Sequence, residues 1–462
     1  TGGLHITLAV PNFFFREKLT NTNFFTHHHS MRRSLQFMLM CSLLCGSPAC
    51  AWAQNVTTGN ITSVAAKDQP NLVNVKLTGT LTTTGNGDFR QLRDLCYSMA
   101  SLDLSAANCP NIPKNALHSR HHLRSLVLPN NLSTIGSQAF FACDSLAGTL
   151  TFSRTTTSIG ASCFAGCKSL QGIQFAGSGQ LVNIGSYAFE GCTSLAGTVS
   201  IPSTLVVLRD GVFSRCSSLE GIKLPSTLQS IGNNTFFNCT SLSGDINFDK
   251  MVTRIGASAF AECKSLTHIS MPRALQQLGD AAFMNCSGLR GEVSIPGSIL
   301  YFGKGAVSGC SGIESVILPA ELTELKACAF AGCTGLKTIK VYAETPAAVD
   351  ATAFAGVDCA NVDLLVPEGS EEAYKSAEVW KNFNIGTVTT VSTQQALAKV
   401  TATVEGSKVW LKHLPQGSRV QMYNAQGQLL QSLQGEGEIA LPLQVRGAYL
   451  VKVNNRTFKV NY

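Results

Sequence analysis

Cys143, Cys167, Cys192, Cys216, Cys239, Cys263, Cys286, Cys310 and Cys333 follow one another at intervals of 24, 25, 24, 23, 24, 23, 24 and 23 residues. A side chain that returns to one frame every two dozen residues requires the backbone to return to one place, displaced by a layer each time. Around each Cys the frame reads IGxxAFxxC, then SL or GL, then two apolar residues spaced by one, often a Pro, and an apolar residue before the next IG. Such a period predicts a leucine-rich solenoid in which each repeat is one coil and the core is continuous along the stack.

The paired apolar positions, such as Leu126 and Leu128, Ile222 and Leu224, Ile269 and Met271, and Val316 and Leu318, alternate like a strand with one buried face. Every repeat has the same direction, so successive strands lie parallel. Pro129, Pro202, Pro225, Pro272, Pro296 and Pro319 follow the second apolar residue and end the strand, because Pro cannot donate to a ladder. The Gly of the IG step is expected to supply a backbone geometry that larger residues resist. Phe140, Phe164, Phe189, Phe213, Phe236, Phe260, Phe283 and Phe330 fill each coil. With strands about 4.8 Å apart, roughly ten coils present a sheet on the order of 50 Å long, which suits a macromolecule better than a metabolite.

The flanks read differently. Residues 1–30 open on Thr, precede a plausible start Met and show no periodicity, so they read as an upstream segment outside the mature protein. Residues 31–53, "MRRSLQFMLMCSLLCGSPACAWA", carry a charged start, a short apolar run and a small-x-small end, which is the pattern of an export signal. The apolar run is too short to span a membrane, and no later segment is long enough either. Removing 1–53 leaves 31 basic against 27 acidic side chains, too mild a balance to imply nucleic acid or an anionic membrane.

Residues 54–101 form an N-terminal cap, with a strand through Val73, Val75 and Leu77 and a helix through Leu92 and Leu95 whose opening amides Asp88 can accept. The solenoid covers 102–345. A C-terminal cap follows over 346–386, where Ser370 can open a helix placing Tyr374, Ala377 and Trp380 on one face. Residues 387–399 read as a linker, and the alternating segments of 400–462 as a small antiparallel β-sandwich. The fold class is thus an α/β repeat, a solenoid with a parallel sheet, followed by that sandwich.

On these residues the chain resembles the BspA-like leucine-rich repeat proteins, through many copies of IGxxAFxxC, the entry "VKLTGTL…DFRQLRDL…LDLS" and the exit "VPEGSEEAYKSAEVWKNF". Its last 60 or so residues resemble a type IX secretion sorting domain at Gly427 in "YNAQGQLL", Gly447 and Tyr449 in "RGAYLVKV", and Lys459. The resemblance implies an exported protein, secreted or displayed at the cell surface, that acts as an adhesin toward host extracellular matrix or neighbouring cells and engages the secretion machinery through its tail. It implies no binding residues in the coils.

The thiols invite two chemical readings. Seventeen Cys in an exported chain suggest disulfides, yet Cys41, Cys45 and Cys50 belong to the signal, and a one-sided column aims its side chains in parallel. The columnar Cys therefore reads as a small apolar spacer whose thiol faces backbone carbonyls. Cys163 and Cys167 lack a His, and the run "HSRHH", with His118, His121 and His122, reads as a solvated turn, so no metal site is expected. There is no HExxH, GxSxG, GxxxxGK or GxGxxG. No catalytic residue, cofactor or metal is expected.

A ligand would then lie on the outward rows of the sheet, where aromatics are absent and polar side chains gather at Lys223, Asp245, Asn247, His268 and Glu292. A protein or glycan macromolecule bound there is the leading expectation. The alternative is a passive structural or spacer component of the cell envelope with no specific ligand, since polar strand faces are ordinary in solvated sheets.

Overall fold

In the computed structural model the described residues are 5–8, 54–64, 68–84, 87–177, 179–387, 400–454 and 456–462. The export signal of 31–53 and nearly all of the linker fall outside them, as does all of 1–30 except His5–Leu8, which pairs antiparallel with Gln54–Thr58. The chain divides into two units, one of Thr1–Asp363 with Ala373–Asn384 and one of Leu364–Glu372 with Ile385–Tyr462. It is a parallel-sheet solenoid of about 14 turns with little helix, followed by an antiparallel sheet shaped as half a barrel.

Each coil contributes to two ladders. The longer strands, from Leu72–Leu77 through Leu170–Phe175 and Leu266–Ser270 to Thr338–Val341, carry the paired apolar residues inward. Parallel pairing already joins Gln54–Thr58 to Leu72–Leu77, and Leu72–Leu77 to Ser101–Asp103. A second ladder arises from two-residue strands at the apolar-Gly step, such as Ser230–Ile231, Arg254–Ile255 and Gln277–Leu278, which bury Ile231, Ile255 and Leu278 completely. After each strand Pro the chain turns, with the amide three residues on donating to the Pro carbonyl, as Leu228 does to Pro225 at 3.1 Å and Leu275 to Pro272 at 3.0 Å.

The glycines of the IG step are needed for space rather than for their own dihedral freedom. A Cβ on Gly160 would stand 2.4 Å from the Ser137 nitrogen, and one on Gly256 2.5 Å from the Gly232 carbonyl carbon. Coils therefore touch backbone to backbone at this corner. Left-handed φ values fall instead at two positions of the following turn, for example Asn234 (54°) and Asn238 (57°) in one coil and Ser258 (51°) and Glu262 (64°) in the next. Interleaving those residues with the rest of the turn aims every second amide at the next coil: Asn234, Phe236 and Asn238 donate to Ala257, Ala259 and Ala261 at 2.8, 2.7 and 2.8 Å. The strain of left-handed non-glycine residues is offset by backbone amides that would otherwise be buried unpaired.

The sulfur column is bonded throughout. Cys143 donates its thiol to the Leu117 carbonyl at 3.1 Å, Cys167 to Phe140 at 3.2 Å, and so on to Cys333, which donates to Val307 at 3.3 Å. All nine thiols are free and buried. Beside them the Phe rings stack with centroids 5.1 Å apart for Phe140 and Phe164, 5.7 Å for Phe213 and Phe236, and 5.1 Å for Phe260 and Phe283. Val307 interrupts the ring column, which resumes at Phe330 and Phe354. Phe354 then meets Trp380 and Phe383, and Trp380 and Tyr374 anchor their polar atoms on the carbonyls of Ala347 and Ala343, each at 2.9 Å.

Two local expectations need correction. Asp88 begins the first helix, α1 (Asp88–Asp94), but caps nothing there. Its buried carboxylate accepts from the Ile61 amide at 2.7 Å and from the Thr82 amide and hydroxyl at 2.8 Å each, tying three segments together. The second helix, α2 (Glu371–Ser376), is too short to carry Trp380. Trp380 instead reaches the core through a separate 3₁₀ turn that follows the left-handed Val379 (φ 67°).

The C-terminal unit has a core of its own, centred on Val409, Leu411, Val420, Met422, Val451 and Val453. One 17-residue strand, Lys408–Asn424, organises it. Its first half pairs with Thr401–Glu405, its second half with Ala448–Val453, and its other edge with Leu429–Pro442. Register shifts near Leu414 and Ser418 bend this strand, so one sheet curls over the core and does the work of two faces.

Candidate functional site

The outward rows lie on the longer strands, and the structure exposes all five side chains expected to bind, Lys223, Asp245, Asn247, His268 and Glu292. It brings some of them together. Asp245 and His268 are register partners on adjacent strands, and His268 Nδ1 lies 3.1 Å from Asp245 Oδ1. Glu292 accepts from Ser315 Oγ at 3.2 Å and from Lys340 Nζ at 3.4 Å, a chain of polar contacts over three coils. Both groupings are solvent-exposed, so each pair contributes at most about 1 kcal/mol to stability.

Lys223 and Asn247 project outward from neighbouring coils that do not share ladder pairing. In the middle of the stack the longer strands pair two by two, Gly148–Phe152 with Leu170–Phe175, Gly197–Ser200 with Leu219–Lys223, Gly244–Asn247 with Leu266–Ser270, while continuous ladders run at either end. The first strand of each pair opens on a left-handed glycine, Gly148, Gly197, Gly244 or Gly291 (φ 79°, 67°, 75° and 72°). That glycine is the extra residue of the 24-residue coils, so from Cys192 onward the alternation of 24 and 23 follows this pattern. The candidate face is therefore stepped, with discontinuities between Lys223 and Asn247 and between His268 and Glu292. Nothing in the apolar pattern flags them; only the interval alternation does.

Among the described residues no three His, Cys, Asp or Glu side chains converge as a metal site would require. Burial pushes the thiols of Cys192, Cys216 and Cys263 well above the ordinary Cys range, and those of Cys239 and Cys333 up to about 12. A thiol held protonated is a poor nucleophile and a poor metal ligand. The column is therefore chemically inert scaffolding.

In the C-terminal unit Gly427 is left-handed (φ 81°) and closes a turn by donating to the Asn424 carbonyl at 3.0 Å. Gly447 exchanges two 3.0 Å hydrogen bonds with Tyr462. Tyr449 is buried, and its hydroxyl donates back to the Val445 carbonyl, locking the loop before its own strand. Lys459 is exposed and lies opposite Leu450 in the edge pairing. The four residues expected to serve sorting are thus spread over two turns, a core position and a surface strand. The register gathers them toward one end of the sheet, where Asn424, the acceptor of the Gly427 amide, pairs with Tyr449, and Leu450 pairs with Lys459.

A profile of the "BspA type leucine rich repeat region", in six copies, matches residues 54–171, 147–264 and 243–363. The chain belongs to this family. Among solved structures it is similar to a leucine-rich cell surface protein of Faecalibacterium prausnitzii (23% identity over 74% of this chain and 93% of that one, TM-score 0.41). It is similar also to a leucine-rich repeat protein of Bacteroides ovatus (20% identity, 74% and 97% coverage, TM-score 0.41). A Treponema pallidum leucine-rich repeat protein is 26% identical over 41% of this chain and 78% of its own, with a TM-score of 0.29. No curated protein matches. Among the described residues no helix is long and apolar enough to cross a membrane.

Proposed function

We propose that this protein is an exported, surface-displayed or secreted adhesin-like scaffold that captures a protein or glycan macromolecule on the outward face of its longer strands. One observation carries the reading: an apolar stacked interior supports a face of exposed, mixed-polarity side chains, with Asp245, His268 and Glu292 on three successive longer strands. A stack of this kind offers surface complementarity over many coils. Family membership and the absence of a catalytic motif support a binding rather than an enzymatic role.

Residues 400–462 are proposed to serve as the type IX sorting domain, and extracellular matrix is the proposed partner class. Full-length chain flowed over immobilised extracellular-matrix proteins should be captured, and the double change Lys223→Glu, His268→Glu should weaken capture about tenfold, or 1.4 kcal/mol. An unchanged dissociation constant removes the face from the proposal, and capture by no matrix protein or cell favours the spacer reading. Fractionating cells that express the chain with and without 400–462 tests the tail; equal surface display would refute the sorting role.

A further inference from the structure

A cavity of about 530 Å³ opens near the first coils, away from the Lys223–Glu292 segment, and Ser119, Arg120, His121 and His122 of the "HSRHH" run help to line it. It lies at a break in the repeat. In the coil before Cys143, Leu117 stands in the Phe column, and its carbonyl takes the Cys143 thiol. Three residues on, where nine coils place a small Cys, this coil places Arg120. The turn keeps the hydrogen bonds of its equivalents, Leu123 donating to the Arg120 carbonyl at 3.1 Å, and the larger Arg120 side chain, its Nε buried, also lines the cavity.

The floor is built by the residues that enter three successive longer strands, Val73, Ala100 and Arg124, joined by amide bonds from Ala100 to Val73 at 2.8 Å and from Arg124 to Ala100 at 2.7 Å. Ala100 is the small member, and it leaves the depression between its larger neighbours. Tyr97, 56% exposed, and His122 complete the wall. His121 also borders the cavity, with Nδ1 3.0 Å from Asp144 Oδ1, which occupies that carboxylate.

Two features of this wall look for an anion. Arg120 Nε is buried and has no hydrogen-bond partner among the described residues. A buried unpaired N–H costs about 1–3 kcal/mol, more on a charged group, so a native fold that keeps one gains something elsewhere. Burial also lowers the Arg120 pKa below its usual value. The second feature is composition: the wall supplies two guanidinium groups, Arg120 and Arg124, and no carboxylate lines it. Arginine is the residue best matched to a planar carboxylate, which its fork of donors can grip at two points. Beside that fork the exposed Tyr97 ring presents the flat amphipathic surface that the outward strand rows lack.

We propose that this cavity is a binding site for a carboxylate-bearing sugar, the acid held by Arg120 and Arg124 and the ring laid against Tyr97. The site is separate from the face proposed to capture a macromolecule and does not depend on it. As a test, full-length chain is titrated calorimetrically with glucuronic acid and N-acetylneuraminic acid, and with glucose and acetate as the sugar-only and acid-only controls. Either acidic sugar should bind at least about tenfold more tightly than both controls, one charge-assisted contact being worth that much.

Arg124→Ala should lower acidic-sugar affinity about tenfold and Tyr97→Ala severalfold. Arg120→Met removes the cation but keeps an apolar stem at a position where the repeat prefers an uncharged residue. It should abolish the preference for acid while leaving the melting temperature equal or higher, which separates lost binding from lost folding. Lys223→Glu with His268→Glu should leave sugar binding untouched. The proposal fails if neither acidic sugar binds better than both controls, or if Arg120→Met and Arg124→Ala, both folded, bind as the parent does. Acetate binding as tightly as the sugars would mean a bare anion site and would also overturn it.

Discussion

The solenoid and the C-terminal sheet bury apolar residues by opposite strategies. In the coils each residue packs on its own equivalent, Phe on Phe and Cys beneath the carbonyl of the Phe before, so one solved contact is repeated many times. In the C-terminal unit no residue meets its equivalent: Val409 and Met422 of the bent strand pack with Leu441 and Val453 of the strands beside it, and the arrangement occurs once. Repetition makes the first core rigid and extensible but exposes it to any agent that acts on every copy. The second core is small, and each of its contacts is local.

Alkali should give the largest contrast. Burial raises the thiols of Cys143, Cys239 and Cys333 from an ordinary value of 9.0 to about 12 and pushes Cys167, Cys192, Cys216 and Cys263 upward too, as a hydrogen bond with the neighbouring thiol and burial do for Cys310, whereas 400–462 contains no Cys. A raised folded pKa means the native thiol keeps a proton that the unfolded thiol releases. The stability is therefore whole below about pH 9 and falls as pH climbs toward the folded values. Each of these thiols loses about 1.4 kcal/mol per pH unit in that window, and the eight act together against a typical total of about 5–15 kcal/mol. Under reducing conditions circular dichroism should show the solenoid melting between about pH 9 and 11, with the C-terminal sheet persisting. A solenoid still folded at pH 11 would mean the thiols are not buried as a column.

Breaking the ring stack at its middle comes next. Phe236 is fully buried between Phe213 and Phe260, with centroids 5.7 and 5.0 Å away. Phe236→Ala should cost about 3–5 kcal/mol. In a one-dimensional stack a weak coil uncouples its neighbours, so urea should unfold the two flanks in separate steps, which single-tryptophan probes would resolve. Met422→Ala in the C-terminal unit should instead lower that unit's transition and leave the solenoid's where it was. One shared, undivided transition in both variants would erase the contrast drawn here.

How much of this was legible differs between the two regions for the same reason. A period is a long-range statement carried by local residues, so the inward pairs, the ring column and the thiols facing carbonyls could all be read from spacing alone. Events at a single coil could not. The buried ties from Asp88 to Ile61 and Thr82 join positions 27 and 6 residues apart with no repeat to announce them. Arg120 is visible as a deviation, but only the fold shows that it lines a cavity. The second ladder at the IG step escaped because two-residue strands have no periodicity of their own. The C-terminal sheet was legible only as alternation, which does not distinguish one curled sheet from two flat ones.

The IG corner is a finer probe of coil contact. Gly256→Ala keeps an allowed backbone but sets a methyl group 2.5 Å from the Gly232 carbonyl carbon, where only movement of a whole coil can relieve it. The expected cost is about 1–3 kcal/mol. Gly244→Ala, one ladder away, meets nothing within 4 Å and is opposed only by its left-handed φ of 75°, so about 1 kcal/mol is expected there. Thermal melts of the two variants compare close approach with dihedral strain inside one repeat. Equal losses would mean that coil spacing gives way more readily than the stacked amides suggest.

The smallest effect belongs to the C-terminal unit. Tyr449 is buried and its hydroxyl is the only part that reaches back, donating to the Val445 carbonyl and accepting from the Val445 amide at 3.3 Å. Tyr449→Phe keeps the ring in the core and removes that one latch, so the unit should lose about 1 kcal/mol while its fold remains. The loop before the strand should respond more than the core does, with amide exchange quickening around Val445 and Gly447 and staying slow at Val451. In the solenoid an equivalent loss at one thiol would be spread along neighbours with identical bonds, whereas here no second copy shares the load. Uniform quickening over the whole sheet would show that the latch holds the unit together, and the two strategies of burial would then differ less than their geometry implies.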